Sequence, residues 1–122
     1  MTEASGPRSS APDAAGTAVH LWGPVRVEAG AGVVHPGGPR ERTVLAALAL
    51  APGRPVSVQR LSAWLWGGDP PPSSRKSVQN AVLRLRQRLA GTGLQVEHFG
   101  DGYVLRLGGA TVDVDGVGEP LG

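Results

Sequence analysis

The stretch SSRKSVQNAVLRLRQRL, residues 73–89, is the part of the sequence that decides the fold. It holds five basic residues and no acidic one. Val78, Val82, Leu85 and Leu89 follow one another at spacings of four, three and four residues, which is typical of the buried face of a helix. The basic and amide side chains fall on the other faces. We therefore predict a helix that packs on a core by one side and exposes a cationic, amide-bearing surface on the other.

Two further helices are predicted upstream of this stretch. Residues 67–72, with the sequence GGDPPP, cannot be helical, because proline lacks an amide hydrogen and its ring clashes with the preceding turn. Before this loop, Ser57 is a good N-cap for a second helix whose apolar residues recur at helical spacing. A first helix is predicted to begin at Pro39, since proline suits the first helical position, and to stop at Pro52-Gly53.

Strands are predicted on both sides of the helices. Residues 19–28 alternate between apolar and polar side chains and predict one half-buried strand, interrupted at Gly23-Pro24 and therefore an edge strand or a bulged one. Residues 33–35 predict a short return strand. Residues 94–107 predict a β-hairpin with its turn around an Asp-Gly pair. The expected order is a small N-terminal sheet, three helices and a C-terminal hairpin.

A chain of 122 residues has room for one domain. Residues 1–17 are small, polar and rich in proline and glycine, so we predict that they are a disordered tail. Residues 18–108 form the predicted domain and carry 11 of the 12 basic residues. Residues 109–122 are an acidic, glycine-rich tail that we interpret as the stub of a linker. One short strand is predicted within it, at residues 111–114.

Several classes of protein are not expected from this composition. No apolar run reaches the roughly 18 residues that cross a bilayer, and no export signal is visible, so we expect a cytoplasmic protein without a membrane partner. The absence of cysteine excludes disulfides, thiol catalysis and cysteine-bound zinc. His20, His35 and His98 lack ligand spacing, so no metal or other cofactor is expected. The sequence shows no nucleophile paired with a base, so we do not expect an enzyme and assign no catalytic residue.

The predicted element order, an α+β arrangement with a basic third helix before a hairpin, is the plan of a winged helix. In that fold the third helix enters the major groove, which accepts one helix and displays a distinct pattern of donors and acceptors for each base pair. Asn80 suits a bidentate contact to adenine, and Arg84 or Lys76 suits guanine. Leu83 is placed to pack on a thymine methyl group. We expect the helix over residues 73–90 to make these contacts.

Phosphate contacts are expected from the flanks of the same helix, at Arg75, Arg86 and Arg88. The hairpin is expected to lay its tip, with Arg106 nearby, across an adjacent minor groove or phosphate. The full set of predicted DNA-binding residues is Arg75, Lys76, Gln79, Asn80, Leu83, Arg84, Arg86, Gln87, Arg88 and Arg106.

Five motifs occur in one order: LWGP at 21–24, GPRER at 38–42, LWGGDPP at 65–71, VQNAVLRLR at 78–86 and GY at 102–103. Together they resemble the N-terminal DNA-binding domain of the SARP family, the antibiotic-regulatory-protein activators, which share the OmpR/PhoB-type winged-helix fold. The resemblance implies a bacterial activator that binds direct repeats in double-stranded promoter DNA and regulates antibiotic biosynthesis. It also implies that the loop before the third helix faces RNA polymerase holoenzyme. A monomer in solution or a dimer on DNA is expected.

Two other interpretations remain open. A run of basic residues on a helix is often only a solvated surface. A winged helix can also serve as a protein-interaction module, because fold does not determine function. In that case a surface formed by Trp64 and the loop over residues 67–72 would bind a protein partner and the basic helix would be incidental. The predicted partner-binding residues are Trp64, Gly68, Asp69, Pro70 and Pro71.

Overall fold

The computed structural model describes residues 16–21, 24–30 and 32–113, which form three helices and two small β-sheets. All three predicted helices are confirmed, and their bounds are α1 (Pro39–Ala49), α2 (Val58–Trp66) and α3 (Ser74–Leu89). The strands are β1 (Ala18–His20), β2 (Arg26–Ala29), β3 (Gly32–Val34), β4 (Val56–Ser57), β5 (Gln95–Phe99), β6 (Gly102–Arg106) and β7 (Thr111–Asp113).

The N-terminal sheet has the strand order β3-β2-β1-β7. The prediction of one interrupted strand over residues 19–28 is wrong, because the chain reverses there and β1 pairs antiparallel with β2. Pro24, which has no amide hydrogen to donate to a ladder, lies in the connection. The alternation still marks the buried side of both strands, since Val19 lies opposite Val27 and both are fully buried.

The chain after the hairpin returns to this sheet. β7 pairs in parallel with β1, and the amide of Thr111 donates to the carbonyl oxygen of Thr17 at 3.0 Å. Thr17 itself is buried, and its hydroxyl donates to the carbonyl oxygen of Thr92 at 3.1 Å. The described structure therefore includes residues assigned above to both tails. Residues 1–15 and 114–122 lie outside the described residues, so the division at 1–17, 18–108 and 109–122 stays a prediction.

The second sheet, of order β4-β6-β5, contains the predicted hairpin. Its two-residue turn is Gly100-Asp101, and Gly100 adopts a positive φ of 57°, which a residue with a side chain rarely does. Gly102 is required for a different reason. A Cβ at Gly102 would overlap the carbonyl group of Val56, so only glycine lets β6 approach β4 this closely.

The third helix is held by its predicted apolar stripe. Val78, Val82, Leu85 and Leu89 are all buried, and α3 packs against α1, α2 and β5. The start of α2 is fixed as expected, because the Ser57 hydroxyl oxygen accepts a hydrogen bond from the Arg60 amide at 3.0 Å. The largest fully buried side chains are Leu45, Leu48, Leu61, Leu85, Leu89, Leu105, Val19, Val27, Val44, Val78, Val82 and Val104.

Two leucines of α3 test this packing. Leu85→Ala should lower the free energy of unfolding by about 2–5 kcal/mol, because it removes buried methyl groups and leaves a cavity. Leu83→Ala, the matched control two residues earlier on the exposed side, should change it by no more than about 0.5 kcal/mol. Urea denaturation followed by circular dichroism measures both. Equal losses from the two variants would contradict the assigned orientation of α3.

Candidate nucleic-acid interface

The outer face of α3 is an exposed polar surface with one apolar side chain in it. Leu83 is 54% exposed. Among the residues that the structure describes, no hydrogen bond or ion pair ties the neighbouring polar side chains to the rest of the protein. Because their donors and acceptors are not used internally, these groups are available to a ligand. The neighbouring polar residues are Lys76, Gln79, Asn80 and Gln87.

Two arginines of α3 form ion pairs with carboxylates of other elements. Arg75, in the first turn, donates from Nη2 to Asp101 Oδ1 at 3.0 Å and so joins the start of α3 to the hairpin turn. Arg84 Nη1 lies 3.8 Å from Glu41 Oε2 on α1. The Arg75–Asp101 pair is exposed on both sides and contributes little free energy, so Arg75 can exchange its carboxylate for a phosphate. Glu41 is buried but the Arg84 side chain is 70% exposed, so most of the Arg84 guanidinium stays available to a ligand.

Arg86 has a partner that the sequence did not predict. Its Nε donates to the carbonyl oxygen of Val96 on β5 at 2.8 Å, and its guanidinium carbon lies 6.0 Å from the centre of the Tyr103 ring. The Tyr103 ring in turn contacts the His98 ring edge-on, at 5.3 Å between centroids. Arg86 therefore connects α3 to the hairpin. Its role in binding DNA stays a prediction.

Arg88 and Arg106 lie at the edges of the predicted surface. Arg88 is exposed near the end of α3. Arg106 does not lie near the hairpin tip, and that expectation is wrong: it pairs in register with Gln95, at the end of the hairpin away from the turn. Its Nε donates to Glu97 Oε1 at 3.1 Å. A contact from Arg106 to DNA would therefore come from the base of the hairpin.

The predicted partner-binding surface is separate from the outer face of α3. Trp64 is 52% exposed in the last turn of α2, and it lines a shallow groove together with Pro24, Pro39 and Ala46. Of these residues, Pro39 and Ala46 belong to α1, and they lie on the side of that helix opposite Val44 and the other buried residues of α1. In the loop, Gly68, Asp69 and Pro70 are exposed and Pro71 is half-buried.

Trp66, in contrast to Trp64, is partly buried against the core, and the Arg40 guanidinium covers its ring at 5.3 Å. This cation–π contact fixes the start of α1 against the end of α2.

Residues 34–105 match the family of the C-terminal domain of transcriptional regulatory proteins. The chain belongs to this family. The match runs from the end of β3 to the next-to-last residue of β6, so it includes α3 and nearly all of the hairpin. The fold is accordingly a winged helix of the α+β class.

Curated relatives support the same assignment. The chain is 38% identical over 74 residues to the transcriptional regulatory protein EmbR of Mycobacterium tuberculosis, covering 61% of this chain and 19% of EmbR. It is 32% identical over 94 residues to the regulatory protein AfsR of Streptomyces griseus, covering 77% of this chain and 9% of AfsR. The chain thus spans less than a fifth of the length of these relatives. The resemblance to SARP-family regulators is confirmed.

A solved structure has the same fold. The structure of M. tuberculosis EmbR in complex with a low-affinity phosphopeptide superposes on this chain with a TM-score of 0.67 and 33% identity. The superposition covers 75% of this chain and 25% of the EmbR chain.

Within residues 16–21, 24–30 and 32–113, no helix is long and apolar enough to cross a membrane.

The contact between Arg86 and the hairpin leads to a prediction about stability. Arg86→Ala should lower the free energy of unfolding by about 1–3 kcal/mol, because the Val96 carbonyl loses a charged donor. Arg88→Ala removes the same charge from the same helix and should change stability by at most about 0.5 kcal/mol. Thermal unfolding of both variants at one ionic strength makes the comparison. A loss confined to Arg88→Ala would show that Arg86 does not hold the hairpin.

Proposed function

We propose that this chain is a sequence-specific DNA-binding transcriptional regulator that inserts α3 into the major groove of promoter DNA. The observation that carries the proposal is the composition of the exposed face of α3, where Leu83 stands among unengaged amide and basic side chains. A solvated surface does not need a half-exposed leucine at its centre. A surface that contacts base edges uses an apolar group against thymine methyls and amides against adenine.

Each side chain of the face has a role in this proposal. Asn80 binds an adenine through its amide, Arg84 or Lys76 binds a guanine, and Leu83 packs on a thymine methyl group. Gln79 and Gln87 extend the amide surface on either side. No bond is made or broken, so the mechanism is binding.

Phosphate contacts supply most of the affinity in the proposal, and they are independent of sequence. Arg88 and Arg75 lie at opposite ends of α3, where a helix in the groove meets the two phosphate backbones. In Arg86 and Arg106 the Nε atom is bonded to the hairpin, so these residues contact the DNA phosphates only through their terminal guanidinium nitrogens. The hairpin then lies beside the groove that α3 occupies.

The family supports a proposal for the biological setting. We propose a bacterial, cytoplasmic activator of antibiotic biosynthesis that binds direct repeats, as a monomer in solution that pairs on DNA. RNA polymerase holoenzyme is the proposed partner of the loop over residues 67–72.

The exposed Trp64 supports a second candidate function, that of a protein-interaction module. The groove beside Trp64 is largely apolar and lies away from α3, so it can be occupied whether or not DNA is bound. In this case a protein partner would be the main ligand and DNA binding would be weak at all salt concentrations.

Selection of bound duplexes from a randomised pool tests the proposed function. We expect a recovered motif, repeated at about one helical turn if two copies bind together. On the selected duplex, log affinity should fall linearly with log salt, and Arg88→Ala should reduce the slope by about one. Failure to recover a motif, with negligible binding at low salt and an intact fold, would contradict the proposal and favour the interaction module.

Asn80→Ala tests recognition at a single base pair. The variant should bind the selected duplex about 1–3 kcal/mol more weakly and become indifferent to one A·T pair of the motif, because only the amide matches adenine. Gln95→Ala removes an exposed amide from the hairpin and should leave that preference intact. Fluorescence anisotropy on the selected duplex and its single-base variants measures the effect. The proposed role of Asn80 fails if the variant loses equal affinity for selected and scrambled duplexes.

A further inference from the structure

One acidic side chain is buried where α1 meets the basic helix α3. Glu41 is the third residue of α1, and only 8% of its side chain is exposed. A buried carboxylate is costly unless a positive partner compensates it. In a protein that binds DNA it also weakens the general attraction for phosphate. The position of Glu41 therefore needs a physical reason.

The chain before α1 is shaped around this side chain. Gly37 has a φ of +122°, and a Cβ there would lie 3.3 Å from Glu41 Cγ. A Cβ at Gly38 would lie 3.0 Å from Glu41 Oε1, so the carboxylate folds back over the two glycines. The Arg42 guanidinium holds the same turn from outside, donating to the Gly37 carbonyl oxygen at 3.0 Å. The Glu41 side chain is thus confined by backbone that leaves it little room to move.

The confined carboxylate faces the DNA-binding helix. Glu41 Oε2 lies 3.8 Å from Arg84 Nη1, and the Arg84 side chain is 70% exposed. One end of the guanidinium is therefore near a fixed negative charge while the rest of the side chain remains in solvent. Gln87 and Arg88 line one cavity together with Glu41 and Arg84, but within the described residues they have no carboxylate partner.

We propose that Glu41 is a positioning residue that directs the Arg84 guanidinium toward a base edge and so sets sequence specificity. An exposed arginine on a long side chain samples many rotamers, and fixing one costs free energy at the moment of binding. Glu41 reduces that cost by attracting one guanidinium nitrogen toward its fixed charge before DNA arrives. The negative charge of Glu41 thereby lowers the general affinity for phosphate, while the directed Arg84 raises the discrimination between sequences.

This inference rests on the proposed function, and it predicts opposite effects on two kinds of duplex. Glu41→Gln removes the charge with little change in shape. Affinity for a scrambled duplex should rise, because a negative charge leaves the interface. The ratio of affinities for selected and scrambled duplexes should fall about 3- to 30-fold, because Arg84 is no longer directed.

The matched control is Glu97→Gln, which removes an acidic partner of an arginine, Arg106, from the exposed surface of the hairpin. This variant should also bind scrambled DNA more tightly. Its ratio of selected to scrambled affinity should stay within about two-fold of the original chain, because Arg106 does not face the bases.

A double-mutant cycle with Arg84→Ala separates positioning from a general structural role. Glu41→Gln should lower the affinity ratio in the original chain and leave it unchanged in the Arg84→Ala background. If Glu41→Gln fails to fold by circular dichroism, Arg84→Lys replaces it, since it keeps the charge at an exposed site but loses the planar guanidinium. Arg84→Lys should then reduce the ratio of selected to scrambled affinity by a similar factor.

Three results would overturn the inference. The first is a ratio of selected to scrambled affinity that Glu41→Gln leaves unchanged, and the second is an equal fall of that ratio in the original chain and in the Arg84→Ala background. The third is a ratio in Arg84→Lys equal to that of the original chain. These failures differ from a failure of the proposed function. Without DNA recognition, selection from the randomised pool returns no motif. If a motif is recovered and the cycle shows no coupling, only the role of Glu41 is wrong.

Discussion

The burial of one side of α3 is the interaction on which the rest of the structure depends. Val78, Val82, Leu85 and Leu89 insert between α1, α2 and β5, and they determine which side of the helix remains outside. A rotation of about 100°, one residue of helix, would bury Gln79 and Leu83 instead and turn Arg86 toward the core. The large cost of burying unpaired charge makes this alternative inaccessible. The outer face is therefore a consequence of the packing.

The helices and their caps could be predicted from the sequence because their signals are local. Pro39, Ser57 and the proline loop bound the helices through backbone chemistry that holds in any context. The N-terminal sheet was harder. Two short strands joined by a turn and one interrupted strand show the same alternation, so the pattern over residues 19–28 does not distinguish them. The pairing of β7 with β1 joins residues about 90 positions apart along the chain, and no local pattern reports such a contact.

The orientation of the outer face could be predicted from the sequence, but the contact partner of each arginine on it could not. Helical spacing places Arg84, Arg86 and Arg88 off the core, and all three are exposed. Their partners depend on the neighbouring elements: Arg84 faces α1, Arg86 faces β5, and Arg88 is bonded to neither. Glu41 was not predicted as a partner of the basic helix. An acidic residue in the first turn is explained by the helix dipole alone, so its contact with Arg84 has no local signal.

The central claim, that DNA contacts the outer face of α3, can be tested most directly by nuclear magnetic resonance. An isotope-labelled chain would be titrated with a duplex selected from a random pool. The account predicts that the largest shifts occur at the Leu83 methyl groups and the Asn80 side-chain amide, with the Trp64 indole unchanged. Large shifts at Trp64 with unmoved Leu83 and Asn80 signals would contradict it.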